Sequence, residues 1–423
     1  MRYDLVIFGG GIAGVHASIA AARMGKKVLI VESTGSLGGM STSGLVNPFM
    51  RYWLNGQSLV SGIFQELLAN LQREKALFEN TFDSELMRTT LHSMVNKEVN
   101  IDCLFNSMPF QGDVSHKKAQ IITFLGEKIE VEAQYWIDAT GNASFAVLTG
   151  DSMLSGDHEG RNQALTQMFV IGGVDFDKVR EDIAQNPKNF LAWVDPNMSV
   201  ISSAGYFEEI KQAEENALHF PNSLFFFVQL PGNGRVTVNT THIPCQTTDS
   251  REVSRAVNTG LDQCRTVFEF AKGYVKGFEN AYIEKIAPQI GIRENRRVSG
   301  QYLFSGEDVR QHAKFEDGFV KGCYGIDIHE ENVREDAVNK EFIPAYSDYY
   351  EIPIRSLISR KFDNLGFAGR CLSADFEGQS AARIMPTSAG MGQALGIYFS
   401  LDSEERAHLN KEQYYKILNK ITH

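Results

Sequence analysis

Three glycines and one acid near the start of the chain have the spacing of a phosphate-binding turn. Gly9, Gly11 and Gly14 form G-x-G-x-x-G directly after a short apolar run, and Glu32 ends the next apolar run. Here Gly9 permits a tight turn, Gly11 lets the backbone reach a diphosphate, and Gly14 brings a helix against a strand. The helix N-terminus offers N–H groups and a positive dipole to the phosphates, and Glu32 can bind a ribose. The sequence predicts a dinucleotide site; the alternative is a glycine-rich loop without a ligand.

A second glycine-rich stretch, STGSLGGMSTSGLVNPF, follows this acid immediately. Gly38 and Gly39 allow close approach to a ligand, and the hydroxyls of residues 41–43 offer hydrogen bonds. A nicotinamide enzyme would normally continue straight into its next helix or strand. We therefore expect this loop to cover the diphosphate and run toward the far ring of a larger cofactor. An ordinary surface loop is the alternative.

The stretch MPTSAGMGQALG, residues 385–396, combines a helix start with unusual glycines. Pro386 and Thr387 are typical of a first helical turn. Gly390 and Gly392 each cost a helix about 0.8–1.0 kcal/mol relative to alanine. We expect these glycines to leave room for a ligand against the helix N-terminus. The alternative is an ordinary core helix with incidental glycines.

Several arginines in IGIRENRRVSGQY are candidates for binding a substrate. The segment is predicted as a strand, whose alternation sends Arg293, Asn295 and Arg297 to one face. Glu294 and Arg296 then lie on the other face. A guanidinium that faces the cofactor could bind an anionic or polyhydroxylated substrate in bidentate fashion. A structural ion pair between domains is the alternative.

Two further residues are candidates for the same pocket. His329 in GIDIHEEN is a candidate base for a substrate proton, although a lone histidine is often structural. Tyr350 in YYEIPIRSL could line the pocket, with packing as its other possible function. No set of His, Cys and acidic residues has the spacing of a metal site, so no metal is expected.

The surrounding sequence predicts the elements that position these residues. Buried parallel strands are predicted at 5–8 and in KKVLIVE, with an alanine-rich helix between them. An amphipathic helix is predicted over 58–77, and another begins at Asp83 or Ser84. A hairpin around Gly126 is followed by a third strand that ends at Asp138. The small residues 139–141 after it leave room for a cofactor that crosses the sheet edge.

Residues 165–355 differ in character from the flanking parts of the chain. SLFFFVQLPGNGRVTVNTTHI predicts a hairpin through residues 231–234, and a long helix is predicted near 252–276. We expect a separate substrate domain, inserted into the nucleotide-binding fold. No second G-x-G-x-x-G occurs, so a dedicated nicotinamide domain is not expected.

Composition restricts the class of partner and the compartment. The 423 residues carry a formal net charge of −11, which gives no overall attraction to nucleic acid or anionic lipid. The five cysteines form no CxxC pair, which suits a reducing compartment. No uncharged apolar run is long enough for a membrane span. We expect a cytoplasmic protein that binds a small molecule, with no nucleic-acid partner.

The motifs together resemble a known family. The N-terminal βαβ unit, GGMSTSGL, DATG, GIRENRRVSG, GIDIH, YYEIPIRSLI and NLGFAGRCLSADFEGQSAARIMPTSAGMGQALG occur in this order. They look like the FAD-dependent oxidoreductases with the glutathione reductase-type fold, with fumarate reductase-like and tRNA-modifying flavoproteins as more distant relatives. The resemblance implies an α/β fold, in which a Rossmann-like FAD-binding domain has a parallel sheet, helices and a three-stranded β-meander. It implies an inserted α+β substrate domain at 166–355, between the two FAD-binding parts 1–165 and 356–423.

The resemblance also implies a cofactor and a reaction. FAD, bound without a covalent link, would accept a hydride at N5 from a CH–OH or CH–NH group, and the final electron acceptor stays open. Alternatives are a C=C reductase, a tRNA-modifying flavoprotein, and a flavin sensor without turnover. The candidate catalytic residues are Arg293, Arg296, His329 and Tyr350. The residues implied for FAD are Gly9, Gly11, Ile12, Ala13, Gly14, Glu32, Ser33, Gly38, Gly39, Met40, Thr42, Ala139, Gly141, Gly369, Arg370, Thr387, Gly390, Gly392 and Gln393.

Overall fold

The structure, a computed structural model, describes residues 1–329 and 347–422. Its α-helices are, in chain order, α1 (Ile12–Arg23), α2 (Ile63–Arg73), α3 (Ser84–Asn96), α4 (Ser144–Leu148), α5 (Phe176–Gln185), α6 (Phe207–Glu215), α7 (Ser250–Tyr274), α8 (Gly306–Arg310), α9 (Phe376–Ala382), α10 (Met385–Ser400), α11 (Ser403–Ala407) and α12 (Lys411–Ile421).

Its strands, in the same order, are β1 (Arg2–Phe8), β2 (Val28–Val31), β3 (Trp53–Leu54), β4 (Gln57–Ser58), β5 (Leu77–Phe78), β6 (Thr81–Phe82), β7 (Ile101–Leu104), β8 (Ser107–Asp113), β9 (Lys118–Thr123), β10 (Lys128–Asp138), β11 (Met153–Ser155), β12 (Phe169–Gly172), β13 (Ser202–Gly205), β14 (Phe225–Gln229), β15 (Val236–Val238), β16 (Tyr282–Ile286), β17 (Arg296–Val298), β18 (Gly318–Gly322), β19 (Tyr350–Pro353) and β20 (Leu365–Phe367).

A parallel sheet forms the centre of the first part of the fold. Its strands lie in the order β7-β2-β1-β10, and β20 pairs in parallel with the end of β10. The beginning of β10 pairs antiparallel with β9, and β9 with β8, which gives the predicted three-stranded meander. The fully apolar VLIV of β2 is buried along its whole length, as a strand covered on both faces requires. The predicted α/β class is confirmed.

Two element boundaries differ from the prediction. The predicted hairpin arm and third strand are one continuous strand, β10, because its second half pairs with β1 while its first half pairs with β9. The helix predicted over 58–77 is shorter, since β4 pairs with β3 before it and β5 pairs with β6 after it. At α3 the predicted start is correct, and the carboxylate of Asp83 accepts the N–H groups of Glu85 and Leu86.

A second, antiparallel sheet has the strand order β13-β14-β15-β12-β16. The predicted hairpin joins β14 to β15, and the predicted long helix is α7. Phe225 and Phe227 of β14 share a hydrophobic cluster with Val267 and Phe270 of α7. The sheet therefore buries one face against α7 and has its own core.

The main hydrophobic cluster lies between the parallel sheet and the helices α1, α2, α3 and α10. Phe304, Phe319 and Tyr350, from inside the predicted substrate domain, also pack in this cluster. The division at 166 and 355 stays a prediction. Among the helices of residues 1–329 and 347–422, none has the length and apolar character that a membrane crossing requires.

Candidate functional site

Several chain segments meet where the parallel strands end. Phe8, the last residue of β1, pairs with Asp138 of β10, and Asp138 pairs with Phe367 of β20. The glycine turn, the loop after β2, residues 139–143 and the 3-10 segment Gly369–Cys371 therefore share one edge of the sheet. In open α/β sheets ligands bind at the carboxyl ends of the strands. This edge is the candidate cofactor site.

The glycines between β1 and α1 serve different purposes. Gly9 has a φ of +102°, and a Cβ there would lie 2.4 Å from the carbonyl oxygen of Ala139. A Cβ on Gly14 would lie 1.9 Å from the carbonyl oxygen of Gly9, so strand and helix touch through their backbones. The Cβ position of Gly11 has no atom within 4 Å. Because Gly11 gives α1 no side-chain cap, the first N–H groups of the helix lack a side-chain acceptor, as a phosphate site requires.

Glu32 is buried and ties the glycine turn to the loop after β2. Its Oε2 accepts the N–H of Gly10 at 2.7 Å, and its Oε1 accepts the N–H of Thr34 at 2.7 Å. The N–H of Gly38 donates to the carbonyl of Gly10 at 2.8 Å. A Cβ on Gly39 would lie 3.3 Å from the Cα of Gly11. The loop therefore lies over the beginning of α1.

Three other loop residues named for the cofactor make contacts within the loop itself. The hydroxyl of Ser33 donates to Glu32 at 3.2 Å, and that of Thr42 donates to the carbonyl of Leu37 at 2.9 Å. The carbonyl of Met40 accepts the N–H of Val46 at 2.9 Å. These bonds position the loop, whose Gly38 and Gly39 contact the glycine turn.

Asp138 is a buried carboxylate that the sequence did not single out for a function. It accepts hydrogen bonds from the N–H and hydroxyl of Thr140 and from the N–H groups of Phe145 and Ala146. Burial raises the pKa of Asp138, and these four donors act in the opposite direction. The carboxylate fixes the segment with Ala139 and Gly141 against the end of β10. Its only sequence signal is its place at the end of an apolar strand.

The glycines of α10 serve helix packing, which corrects the prediction made for them. A Cβ on Gly392 would lie 2.0 Å from the carbonyl oxygen of Ala13 in α1, and one on Gly390 would lie 2.9 Å from a methyl carbon of Val320 in β18. Gly396 likewise abuts Ala17 of α1. The explanation that Gly390 and Gly392 leave room for a ligand is wrong, because protein atoms fill those positions.

The first turn of α10 lies close to the sheet edge. The Cβ position of Gly369 lies 3.6 Å from the Cβ of Ala13 and 3.7 Å from the hydroxyl of Ser388. Thr387, in the same turn, is buried. Gln393 points elsewhere, since its side-chain amide donates to the carbonyl of Ser61 at 3.0 Å.

A second group of polar residues lies around residues 163–164, shortly before β12 of the antiparallel sheet. Nη1 of Arg293 donates to the carbonyl of Ala164 at 2.7 Å, and the N–H of Ala164 donates to the carbonyl of His329 at 3.1 Å. Nε2 of His329 lies 3.4 Å from Oδ1 of Asp327. The N–H of His329 donates to the side chain of the buried Gln163 at 3.3 Å. The structure therefore brings two predicted catalytic residues, Arg293 and His329, into one cluster.

Asp327 connects this cluster to Arg383, which lies just before α10. Its Oδ2 accepts the hydroxyl of Tyr324 at 3.0 Å and lies 3.4 Å from Nη2 of Arg383. Arg383 also donates to the backbone carbonyl of Asp327 at 3.0 Å. Asp327, Arg383 and Gln163 were missed by the sequence analysis. Asp327 stands two residues before His329 and Arg383 just before the MPTSAG motif, whereas nothing in the sequence marks Gln163.

The remaining two catalytic candidates lie outside the cluster. Arg296 belongs to β17, and within the described part of the chain its side chain donates only to Asn295 beside it, at 3.4 Å. The predicted strand alternation is wrong, because β17 begins only at Arg296. Glu294 and Arg297, expected on opposite faces, form a buried ion pair at 2.9 Å. Tyr350 is fully buried and donates to the carbonyl of Ala381 at 3.1 Å, so its contacts are those of a packed core residue.

A distinct cavity of about 250 Å³ lies away from both groups. It is lined by Pro48, Asn80, Met198, Val200 and Val228, with Glu79 as its one ionisable side chain. Its polar lining also includes Ser199 and Ser202, and the hydroxyl of Ser199 donates to Glu79, but none of the lining residues is a cation that could bind a phosphate. The sheet edge and the cluster around His329 therefore remain the candidate site.

Comparison with known proteins identifies a family. A family model described as "FAD dependent oxidoreductase" matches residues 4–419. Among curated proteins, the chain is similar to the tRNA uridine 5-carboxymethylaminomethyl modification enzyme MnmG of Aliarcobacter butzleri, with 33% identity over 118 residues. That match covers 23% of this chain and 19% of the length of that enzyme.

Among solved structures, the likenesses are distant. A flavoprotein/dehydrogenase of Cytophaga hutchinsonii has a TM-score of 0.48 at 13% identity, over 100% of this chain and 82% of that one. A geranylgeranyl bacteriochlorophyll reductase-like protein of Thermoplasma acidophilum has a TM-score of 0.46 at 13% identity, and the match covers 99% of this chain and 82% of that one. GidA of Aquifex aeolicus has a TM-score of 0.46 at 13% identity, and the match covers 95% of this chain and 63% of that one. At these scores none of them lends its activity to this chain.

Proposed function

The chain belongs to the FAD dependent oxidoreductase family, and from this membership we propose that it oxidises a small polar substrate at a CH–OH or CH–NH group. When bound, FAD supplies the acceptor for the substrate's hydride at its N5 atom. The observation that supports the proposal is the polar cluster in which Arg293 and His329 both bond to Ala164. It combines a cation that can bind a polar substrate with a base that can take its proton.

The residues at the sheet edge fit this cofactor. The open space at Gly11 and the uncapped N-terminus of α1 suit its diphosphate. Oε2 of Glu32 accepts one N–H bond and retains a lone pair for a ribose hydroxyl. The backbone at Gly39 can approach the cofactor closely because it has no side chain. We propose these residues, with Arg370, as its principal contacts.

His329 is the proposed base, and Asp327 is its positioning residue. The carboxylate of Asp327 lies 3.4 Å from Nε2 of His329, where it stabilises the imidazolium that forms when the ring takes the hydroxyl or amine proton. The substrate carbon loses a hydride and its heteroatom loses a proton, which gives a carbonyl or an imine. Arg293 binds a polar group of the substrate and orients the reacting carbon.

The test begins with the cofactor and continues with the base. The purified protein should release FAD, and not FMN, on denaturation; protein that cannot be reconstituted with FAD would contradict the proposal. Anaerobic screening of alcohols and amines for bleaching of the flavin then identifies a substrate. In His329→Gln we expect flavin reduction to slow by about 10²–10⁴-fold with unchanged FAD content. His116→Gln, at an exposed histidine bonded to Asp113, is the matched control.

Two alternatives have distinct tests. The similarity to MnmG favours a tRNA-modifying flavoprotein, which filter binding of bulk tRNA would reveal; the net charge of −11 argues against it. A C=C reductase would instead reoxidise the photoreduced protein on mixing with enones or fumarate-like acids. Failure of every alcohol and amine, with rapid reoxidation by one of these acceptors, would replace our proposal with the second alternative.

A further inference from the structure

His92 bonds to the loop after β2 in a way that requires a neutral imidazole. It lies on α3, and its Nε2 accepts the backbone N–H of Leu37 at 3.0 Å. A histidine ring nitrogen accepts a hydrogen bond only when it carries no proton. The neutral ring therefore has its proton on Nδ1. Protonation of Nε2 would replace the acceptor with a second donor that faces the N–H of Leu37.

The N–H group in this bond belongs to a buried residue. Leu37 is fully buried, and its Cδ2 lies 2.7 Å from the position that a Cβ on Gly10 would take. Across residues 1–329 and 347–422, His92 is the acceptor that the structure gives to the N–H of Leu37. A buried N–H group that loses its acceptor destabilises the conformation that buries it. Protonation of His92 therefore favours a loop that has moved away from the ring.

The residue after Leu37 contacts the glycine turn directly. The N–H of Gly38 donates to the carbonyl of Gly10 at 2.8 Å. A Cβ on Gly38 would lie 3.1 Å from a methyl carbon of Leu91, the neighbour of His92 on α3. Helix α3 thus contacts the loop at two successive loop residues, and a displacement of the first would disturb the bond of the second with the glycine turn. The bond between His92 and Leu37 is therefore coupled to the shape of the cofactor site.

The surroundings of His92 determine the pH range in which this bond is lost. Phe105, after β7, stacks on the imidazole with ring centroids 5.4 Å apart, and neither Phe105 nor Leu37 is ionisable. Among the described residues, Arg88, one turn earlier on α3, is the charged group that acts on the ring. Burial lowers the pKa of His92, and Arg88 lowers it further. The bond is therefore complete above the ordinary histidine pKa of about 6.5 and is lost as the pH falls through the lower, folded-state value.

We propose that His92 is the positioning residue of the loop after β2, and that its protonation releases the loop and weakens the binding of FAD. The inference rests on the proposed function, which places the cofactor beside this loop, and it goes beyond that function by making cofactor affinity depend on pH. Because linkage is reciprocal, FAD that binds the closed loop must in turn favour the neutral imidazole. The protein therefore binds FAD more tightly at neutral pH than in mild acid.

The experiment measures the dissociation constant of FAD by fluorescence titration at about pH 7.5 and about pH 5, on either side of the ordinary histidine pKa. We compare wild type with His92→Gln, whose amide oxygen can accept the N–H of Leu37 and does not titrate. The weakening of FAD binding on acidification should be about 3- to 10-fold larger in wild type than in His92→Gln, the effect of one hydrogen bond. At the higher pH the two proteins should bind FAD equally.

A second variant and a spectroscopic measurement test the bond itself. His92→Phe retains a ring against Phe105 but has no acceptor, so it should bind FAD about 3- to 10-fold more weakly than wild type at about pH 7.5. Nitrogen NMR of the wild-type imidazole should place the proton of the neutral His92 on Nδ1. By the same linkage, the pKa of His92 should be lower in the holoprotein than in the apoprotein.

Three results would overturn the inference and leave the proposed function standing. They are an equal pH dependence of FAD affinity in wild type and His92→Gln, a His92→Phe protein that binds FAD as tightly as wild type at about pH 7.5, and a neutral His92 with its proton on Nε2. The NMR result needs no variant, so it decides even if both substituted proteins fail to fold. A wild type that binds no FAD at either pH would instead contradict the proposed function, and the inference with it.

Discussion

Arg293 and His329 are joined through a single residue, Ala164, whose carbonyl accepts Nη1 of Arg293 at 2.7 Å and whose N–H donates to the carbonyl of His329 at 3.1 Å. The guanidinium of Arg293 and the backbone of His329 are therefore held by the same residue, although the three residues come from different segments of the chain. Ala164 is followed by Leu165, which forms an antiparallel β-bridge with Ile243, so this backbone is anchored to the segment that contains Ile243. Such anchoring is what a substrate site needs in order to keep a binding group and a base in fixed relation.

The two arginines that the sequence could not separate should differ in effect. Arg293→Ala removes the cation of the cluster, and we expect flavin reduction by the substrate to slow by about one to two decades, the usual cost of one charged hydrogen bond. Arg296→Ala removes a side chain that, among the described residues, donates only to its neighbour Asn295, and the rate should stay at the wild-type value. Rapid mixing under anaerobic conditions measures both. A wild-type rate of flavin reduction in both variants would show that Arg293 is structural.

The space beside Gly11 should be required for the cofactor. Gly11→Val places a branched side chain where the structure has no atom within 4 Å, and we expect it to abolish FAD binding without unfolding the protein. Gly273→Val, at a helical glycine whose Cβ position is equally open, is the matched control and should bind FAD normally. Flavin content after reconstitution decides. A Gly11→Val protein with full flavin would show that the turn is not a phosphate site.

The glycines of α10 should matter to stability in proportion to what they touch. Gly392→Ala directs a methyl group into the carbonyl oxygen of Ala13, which can move only if α1 and α10 separate. We expect its free energy of unfolding to fall by about 1–3 kcal/mol or more. Gly390→Ala meets only a methyl of Val320, which can shift, so its loss should be smaller. Urea unfolding of the two apoproteins measures the difference; a Gly392→Ala protein as stable as wild type would refute this packing argument.

His16 should make stability depend on pH. It is fully buried in α1, and burial lowers its pKa to about 4, below the value near 6.5 of an unfolded histidine. As the pH falls between these values, the unfolded chain gains a proton that the folded chain does not. The free energy of unfolding should therefore fall, by at most about 1.4 kcal/mol per pH unit. Above the unfolded pKa this contribution is fully present.

The measurement is the change in unfolding free energy between about pH 7 and about pH 5. His16→Gln, whose amide can still donate to the carbonyl of Ile12, should show a smaller change than wild type. The same pH dependence in both proteins would mean that folding does not lower the pKa of His16.

The sequence alone was sufficient for the nucleotide-binding half of the fold because its signals are local. Position 9 requires a glycine because its φ is +102°, and position 14 requires one because the helix touches the backbone of the turn there. Both requirements arise within a single βαβ unit. The long helix α7 was equally predictable, since its apolar positions repeat at helical spacing over 25 residues. Such features are determined by neighbours in the chain and require no knowledge of distant contacts.

Only the tertiary structure decided what the later residues do, because their partners come from distant parts of the chain. Gly392 serves packing since Ala13, at the other end of the chain, lies against it. Glu294 pairs with Arg297 because Glu294 lies outside the strand, which begins two residues later at Arg296. The alternation of side chains along a strand does not predict where that strand begins. Local sequence signals predicted the cofactor site; three-dimensional proximity decided which charges are paired.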